Sequence, residues 1–202
     1  MEIVCLDLEG VLVPEIWIAF AEKTGIMELK RTTRDEPDYE KLMAWRMDIL
    51  RSHGLTLSDI QDTISQIHPL EGAYEFLSKL RSITQVVILS DTFKEFASPL
   101  MKQLGWPTIL CNSLVIDENN MLCGMKLRQV GGKRNAIEGI RSMGFRTFAA
   151  GDSYNDLSMI HTADKGCLFR APENILKEEP DLKLCTTYDE FYSVIESFVK
   201  ED

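Results

Sequence analysis

The sequence predicts an α/β protein: a doubly wound, mostly parallel sheet with a small inserted helical region and a β-hairpin. Three observations carry this. Residues 2–6 (EIVCL) form a short apolar run that stops at acidic residues and Gly10, the pattern of a buried central strand. Residues 14–70 show helical periodicity without a convincing strand. After Pro69, strand-like and helix-like segments alternate, which implies a parallel sheet with helices on both faces.

Each element has its own signal. WIAFAEKTG, from Glu15, reads as an amphipathic helix stopped by Gly25. Residues 26–37 are polar and rich in breakers, so a loop is expected. Apolar residues at 42, 43, 47 and 49–50 predict a helix from Tyr39 to Leu50. Ser58 is the expected N-cap of a helix from Asp59 to about Gln66. A helix is expected from Glu71 to Leu80, then a β-branched strand, QVVIL, ending at Ser90-Asp91. Phe93 to Leu104 reads as helix stopped by Gly105, and residues 108–116 as strand. Apolar arms around Glu118-Asn119-Asn120 predict a β-hairpin. Helix is expected from Gly132 to Met143, strand over 146–150 ending at Gly151-Asp152, helix over 155–162, strand over 166–169 and helix over 188–199.

Composition narrows the function. A chain of 202 residues can bury a sizeable core without staples. Its 22 basic against 32 acidic residues give a net charge of -10. That disfavours sequence-independent nucleic-acid binding and docking on an anionic membrane. The five cysteines are odd in number and include no C-x-x-C pair. They suggest neither a zinc knuckle nor a redox pair, and the odd count suits a reducing cytoplasm. MEIVCLDLEG does not read as a signal peptide, and no 18-residue apolar stretch is present.

In a doubly wound sheet, ligands bind beyond the carboxyl ends of the strands. There the sequence places Asp7-Leu8-Glu9-Gly10, then Ser90-Asp91-Thr92, then Gly151-Asp152-Ser153-Tyr154-Asn155-Asp156, with Lys133 opening the preceding helix. Acidic residues with a hydroxyl, a lysine and no histidine suggest a Mg²⁺ site that handles phosphate, because Mg²⁺ takes carboxylate, phosphate and water oxygens. A carboxylate can itself be the nucleophile and form an aspartyl-phosphate.

These residues resemble the motifs of the haloacid dehalogenase superfamily of phosphatases, whose core is Rossmann-like. Asp7-Leu8-Glu9-Gly10-Val11 stands for D-x-D-x-[TV], Ser90 for the strand-ending hydroxyl, Lys133 for the lysine and Gly151-Asp152-Ser153-Tyr154-Asn155-Asp156 for G-D-x-x-x-D. The last form, with helices inserted just after the first motif, is similar to phosphoserine phosphatases. Glu9 departs from the usual Asp. With DLEGVLVPE and LSDTF, it is similar to the branch that moves a phosphoryl group from phosphoserine to water or to homoserine.

The resemblance implies roles. Asp7 attacks phosphorus, and Glu9 is the acid and then the base. Mg²⁺ is held by Asp7, the Glu9 backbone carbonyl and Asp152, with Asp156 in or near its shell. Ser90 and Lys133 hold phosphate oxygens, with Asp91 and Asn155 close by. Glu15 binds the substrate ammonium and Arg46 its carboxylate. Residues 1–13 and 71–202 are then the phosphoryl-transfer core and 14–70 a helical cap. The substrate is a small phosphorylated amino acid, and the resembled branch implies a homodimer.

Other readings compete. The substrate could instead be another small phosphomonoester, a sugar phosphate or a nucleotide. A receiver-type signalling domain is shorter, has no inserted helices and carries its phosphoacceptor on a middle strand. A catalytically idle binding protein would have lost a motif residue, and only the conservative Glu9 is seen. A dinucleotide oxidoreductase needs G-x-G-x-x-G after the first strand, which is missing. His53, His68 and His161 are isolated and read as surface or structural. Cys123 to Arg128 is one residue short of the cysteine-phosphatase loop and reads as structural. Trp17, Phe20, Trp45 and Met47 read as packing residues, and the acidic tail (Glu196, Glu201, Asp202) as a solvated helix end.

Overall fold

The structure, a computed structural model, describes residues 1–32, 35–36 and 38–201. Its sheet contains β1 (Glu2–Leu6), β2 (Gln85–Phe93), β3 (Thr108–Ile116), β4 (Leu122–Lys126), β5 (Arg146–Gly151), β6 (Lys165–Phe169) and β7 (Lys183–Cys185), in the order β4-β3-β2-β1-β5-β6-β7. Only β4, the second arm of the predicted hairpin, runs antiparallel to its neighbour. The apolar run of β1 is central as expected, with Val4, Cys5 and Leu6 fully buried. Leu6 lies beside Ile88 of β2 and Ala150 of β5. This register delivers Asp7, Ser90 and Asp152 to one sheet edge, where the chain order reverses and ligands characteristically bind.

Helices cover both faces. α1 (Ile16–Thr24), α2 (Tyr39–Ser52) and α3 (Leu57–Ser65) follow β1; α4 (Ala73–Arg81) and α5 (Lys94–Gln103) flank β2. α6 (Gly132–Ser142) and α7 (Tyr154–Thr162) flank β5, and α8 (Glu173–Glu178) and α9 (Tyr188–Val199) flank β7. Gly25 stops α1 as predicted: it is left-handed (φ 75°) and its N–H reaches the Ala21 carbonyl. One core cluster joins β1 to α4 and α9 through stacked Phe76, Phe169, Tyr188 and Phe191. The same cluster takes in Met43, Leu50, Ile60 and Ile64 of the helical segment. Ile137, Met159 and Ile160 pack on the other face. The Tyr188 hydroxyl donates to the Val11 carbonyl at 2.6 Å, so the closing helix braces the loop after Asp7.

Several details differ from expectation. Thr56, not Ser58, caps α3, because Thr56 and Asp59 form a reciprocal capping box; Ser58 instead accepts from Asn120 of the hairpin. Phe93 ends β2 instead of opening α5. Part of the expected 26–37 loop is a 3-10 helix, Met27–Lys30, and α8 and β7 were not foreseen. The tail is not merely solvated, since Glu201 pairs with Lys165 at 2.5 Å. Residues 33, 34 and 37 of the expected loop, and Asp202 of the tail, lie outside the described residues. Pro99 sits inside α5 and cannot donate to the carbonyl four residues back. Gln61 of α3 fills that Glu95 carbonyl at 2.8 Å, so the helix defect becomes a docking point.

Asp164 gives a pH-dependent contribution to this framework. It accepts from the Thr147 N–H (2.8 Å) and hydroxyl (3.0 Å), and pairs with Arg141 (3.0 Å). Burial pushes its carboxyl up, but the Thr147 hydrogen bonds and the Arg141 charge hold it below the ordinary range. A depressed folded-state value stabilises above the unfolded pKa, about 3.9, and is lost as pH falls through the folded value. Asp164→Asn should therefore lower Tm by a few degrees at neutral pH, with the gap closing below about pH 4. Thermal melts across pH check this, and a pH-independent gap would contradict it.

Candidate active site

Asp7 follows the last residue of β1, and its N–H donates to Ala150 O at 2.9 Å. Its carboxylate is buried against Lys133, with Nζ 2.9 Å from Asp7 Oδ1. The Lys133 ammonium also lies 2.6 Å from Asp156 Oδ1 and 3.9 Å from Asp91 Oδ2. It reaches this position from the first turn of α6. Burial alone would depress its pKa, but the charges of Asp7, Asp156 and Asp91 raise it well above the ordinary value. Lys133 is thus a permanent buried cation.

The acids outnumber it. Burial, then Asp156, raise the Asp7 carboxyl well above the ordinary range. Asp152 is pushed up to about 7 by burial and by the charges of Asp156 and Glu15. One oxygen each from Asp7, Asp152 and Asp156 lie within 4.8 Å of one another. Hard oxygen donors at this spacing, carrying more negative charge than Lys133 neutralises, suit a divalent cation such as Mg²⁺. Gly10 makes room for them: at φ 75° it lies so close to Asp152 that a Cβ would overlap the carboxylate.

The acids do not stand alike. Asp156 Oδ2 accepts the Asp152 and Ser153 N–H groups (both 3.1 Å) and the Ser153 hydroxyl (2.9 Å), while Oδ1 faces Lys133. It closes the capping box of α7 and is better placed to orient Asp152 and Lys133 than to offer a free ligand atom. The Glu9 side chain stands outside the triad. Its Oε2 accepts the Ile16 N–H at 2.8 Å. Burial and then the charge of neighbouring Glu15 push its carboxyl up to about 8.

On the other side of β1, Ser90 lies buried where β2 bulges; its Oγ accepts the Thr92 N–H at 3.2 Å. The Asp91 carboxylate accepts from Asn155 Nδ2 at 3.2 Å. Arg46 comes down from α2. Its guanidinium lies 4.5 Å over the Trp17 ring, and Nη2 donates to Arg31 O at 2.6 Å. Burial lowers its pKa to about 10, against the opposing effects of Tyr39, Glu9 and Glu15. Its Nε is buried without a hydrogen-bond partner. A buried guanidinium with an open donor is suited to a ligand carboxylate.

All ten residues foreseen from the motifs therefore stand at one end of the molecule, as two groups. Asp7, Ser90, Asp91, Lys133, Asp152, Asn155 and Asp156 line the sheet edge; Glu9, in the loop after β1, turns to the start of α1, and Glu15 and Arg46 belong to the helical segment. Sequence reasoning missed Tyr39, whose hydroxyl donates to the Asp91 carbonyl at 3.4 Å. Nothing local marks a tyrosine that opens a helix as a site residue. His68 and His161 make surface contacts with Gln103 and Glu179. Cys123 bonds Val115 O and Arg128 bonds Gly132 O, so both side chains of the C-x4-R stretch are engaged with neighbouring backbone. An open cleft of about 450 Å³ lined by Lys165, Lys183 and Glu201 lies at the opposite, amino ends of β6 and β7.

The sequence profile of haloacid dehalogenase-like hydrolases matches residues 15–161. The chain belongs to that family. It is 57% identical over 190 residues to phosphoserine phosphatase ThrH of Pseudomonas aeruginosa, covering 94% of this chain and 93% of that protein. A phosphoserine phosphatase of Pseudomonas syringae is also 57% identical, with 94% and 80% covered. A substrate-bound phosphoserine phosphatase complex shares the fold, with TM-score 0.74, 21% identity and 92% and 93% of the two chains covered. No helix among the described residues is long and apolar enough to cross a membrane.

Proposed function

We propose that this protein is a Mg²⁺-dependent phosphatase that hydrolyses O-phosphoserine through an aspartyl-phosphate on Asp7. The observation that carries the reading is a buried Asp7 at the end of the central strand, 2.9 Å from Lys133 and grouped with Asp152 and Asp156. The relatives at 57% identity supply the substrate. Asp7, the Glu9 backbone carbonyl and Asp152 would hold Mg²⁺, with Asp156 orienting them. Bound there, it would offset the carboxylate charge and polarise the phosphoryl oxygens.

In this reading one Asp7 carboxylate oxygen bonds to phosphorus as the phosphorus–serine oxygen bond breaks. Lys133 and Ser90 hold the equatorial oxygens, and Asp91 and Asn155 shape the loop around them. Glu9, protonated near neutrality because its pKa is about 8, gives its proton to the leaving serine oxygen. It then takes one from the water that cleaves the acyl-phosphate. Arg46 binds the substrate carboxylate through its open Nε, and Glu15 the ammonium. Residues 14–70 act as the cap that selects the alcohol over a core of 1–13 and 71–202. The cysteine usage favours a cytoplasmic setting.

The extra methylene of Glu9 reaches one bond further than Asp would, leaving room for an acceptor alcohol larger than water, such as homoserine. Phosphate release from O-phosphoserine, sugar phosphates and a nucleotide, with and without homoserine, tests the reading. Phosphoserine should be preferred, and Glu9→Asp should lower the ratio of transfer to hydrolysis several-fold. Preference for another phosphomonoester would overturn the substrate, and an unchanged ratio would overturn the role of the methylene.

A further inference from the structure

Parallel pairing between β2 and β3 runs through Val87–Thr108, Ile88–Ile109 and Leu89–Leu110, then resumes only at Phe93–Asn112. Ser90, Asp91 and Thr92 bulge out of the ladder opposite Cys111 alone. A bulge throws a side chain forward, here Ser90, but leaves backbone groups without ladder partners. The Asp91 carbonyl is one such group.

Asn112 supplies what the ladder lacks. It is buried, 7% exposed, and its Nδ2 donates to Asp91 O at 2.9 Å. Its Oδ1 accepts the Arg128 backbone N–H at 3.0 Å. The two partners fix the amide's orientation, because a carbonyl only accepts and a backbone N–H only donates. Arg128 begins the loop that leads to Lys133. That loop is tied to itself by Arg128 Nη2 on Gly132 O (2.8 Å) and Asn135 Nδ2 on Val130 O (2.9 Å). One buried amide thus bonds both the segment presenting Ser90 and the segment presenting Lys133.

We propose that Asn112 is a positioning residue that sets the spacing of Ser90 and Lys133 around the phosphoryl oxygens, acting through the Asp91 carbonyl and the Arg128 N–H. This rests on the reading that Ser90 and Lys133 hold the transferred phosphoryl group. The task needs one donor and one acceptor on a single short planar group. Aspartate keeps the acceptor and loses the donor, leucine loses both, and glutamine places them a bond too far. Asn112 bonds the two segments assigned to phosphate, whereas Glu15 and Arg46, assigned to the amino-acid part, come from another segment; Tyr39 of α2 also reaches the Asp91 carbonyl, at 3.4 Å.

The test separates the two halves of the ligand. In Asn112→Asp, inorganic phosphate should inhibit at least tenfold more weakly, and kcat/KM for phosphoserine should fall by tenfold or more. Inhibition by L-serine should stay within about twofold and Tm within a few degrees. Phosphate and serine constants weakening together, or neither moving, would overturn the proposal. In the wild-type protein, phosphate with Mg²⁺ should slow amide exchange at Arg128 together with the Ser90–Thr92 segment, and no change at Arg128 would also overturn it. If another phosphomonoester proves to be the substrate, phosphate remains the shared product. The phosphate constant then still reads Asn112, with the new alcohol in place of serine.

Discussion

Asp7→Asn should abolish turnover while leaving the fold as stable as before or more so. Asparagine keeps the shape and the carbonyl oxygen that faces Lys133, but it cannot form an acyl-phosphate. Deleting a covalent nucleophile costs about 10⁴-fold in kcat or more. The stability half follows from the charge balance. Burial and Asp156 disfavour the ionised Asp7 carboxylate, and Lys133 only partly offsets them. A neutral amide relieves that repulsion and leaves Lys133 paired with Asp156 at 2.6 Å. Turnover assays beside thermal melts of the metal-free protein check both halves. Retained turnover would remove Asp7 from the mechanism; a large fall in Tm would contradict the charge argument.

Lys133→Met should do the reverse and damage fold and catalysis together. Methionine fills a similar volume and carries no charge, so Asp7 and Asp156 are left buried with no organic cation between them. Removing one partner of a buried ion pair costs about 3–5 kcal/mol, which for a chain of this size lowers Tm by roughly 10 °C. Catalysis loses a fixed positive charge at the phosphoryl oxygens, about 10²–10³-fold by analogy with a lost oxyanion donor. Added Mg²⁺ should recover part of the Tm, because it also neutralises the carboxylates, but little of the rate. Calorimetry with and without Mg²⁺, alongside phosphate release, separates the two effects. An unchanged Tm in the metal-free variant would mean that Lys133 is not the ion that holds the site together.

What was legible in the sequence followed from strong local signals. The apolar run of β1 ends at Asp7, a buried acid where the central strand meets the site. The left-handed Gly25 stopped α1, and Asp7, Ser90 and Asp152 met at one edge, although Ser90 stands in a bulge of β2 rather than at its end. Elements with little periodicity escaped: the three-residue β7 and six-residue α8 are held by their neighbours. Thr56 and Ser58 are both good caps, and only the reciprocal bond with Asp59 decides between them. The least legible residues were those whose roles arise from pairing across the sheet or between segments. Asn112 carries meaning only once β2 is seen to bulge beside it. Tyr39 does so only once α2 lies over Asp91, and Gln61 only once α5 presents the carbonyl that Pro99 leaves open.

The central claim is that phosphoryl transfer runs through the carboxylate of Asp7. Its most direct test is to mix the enzyme with Mg²⁺ and ³²P-labelled O-phosphoserine, quench in acid and map the labelled peptide. The account predicts one acid-stable, base-labile phosphate on the Asp7 peptide, formed and lost at the rate of turnover and absent from Asp7→Asn. Label on any other residue, or full turnover with no labelled peptide, would contradict it.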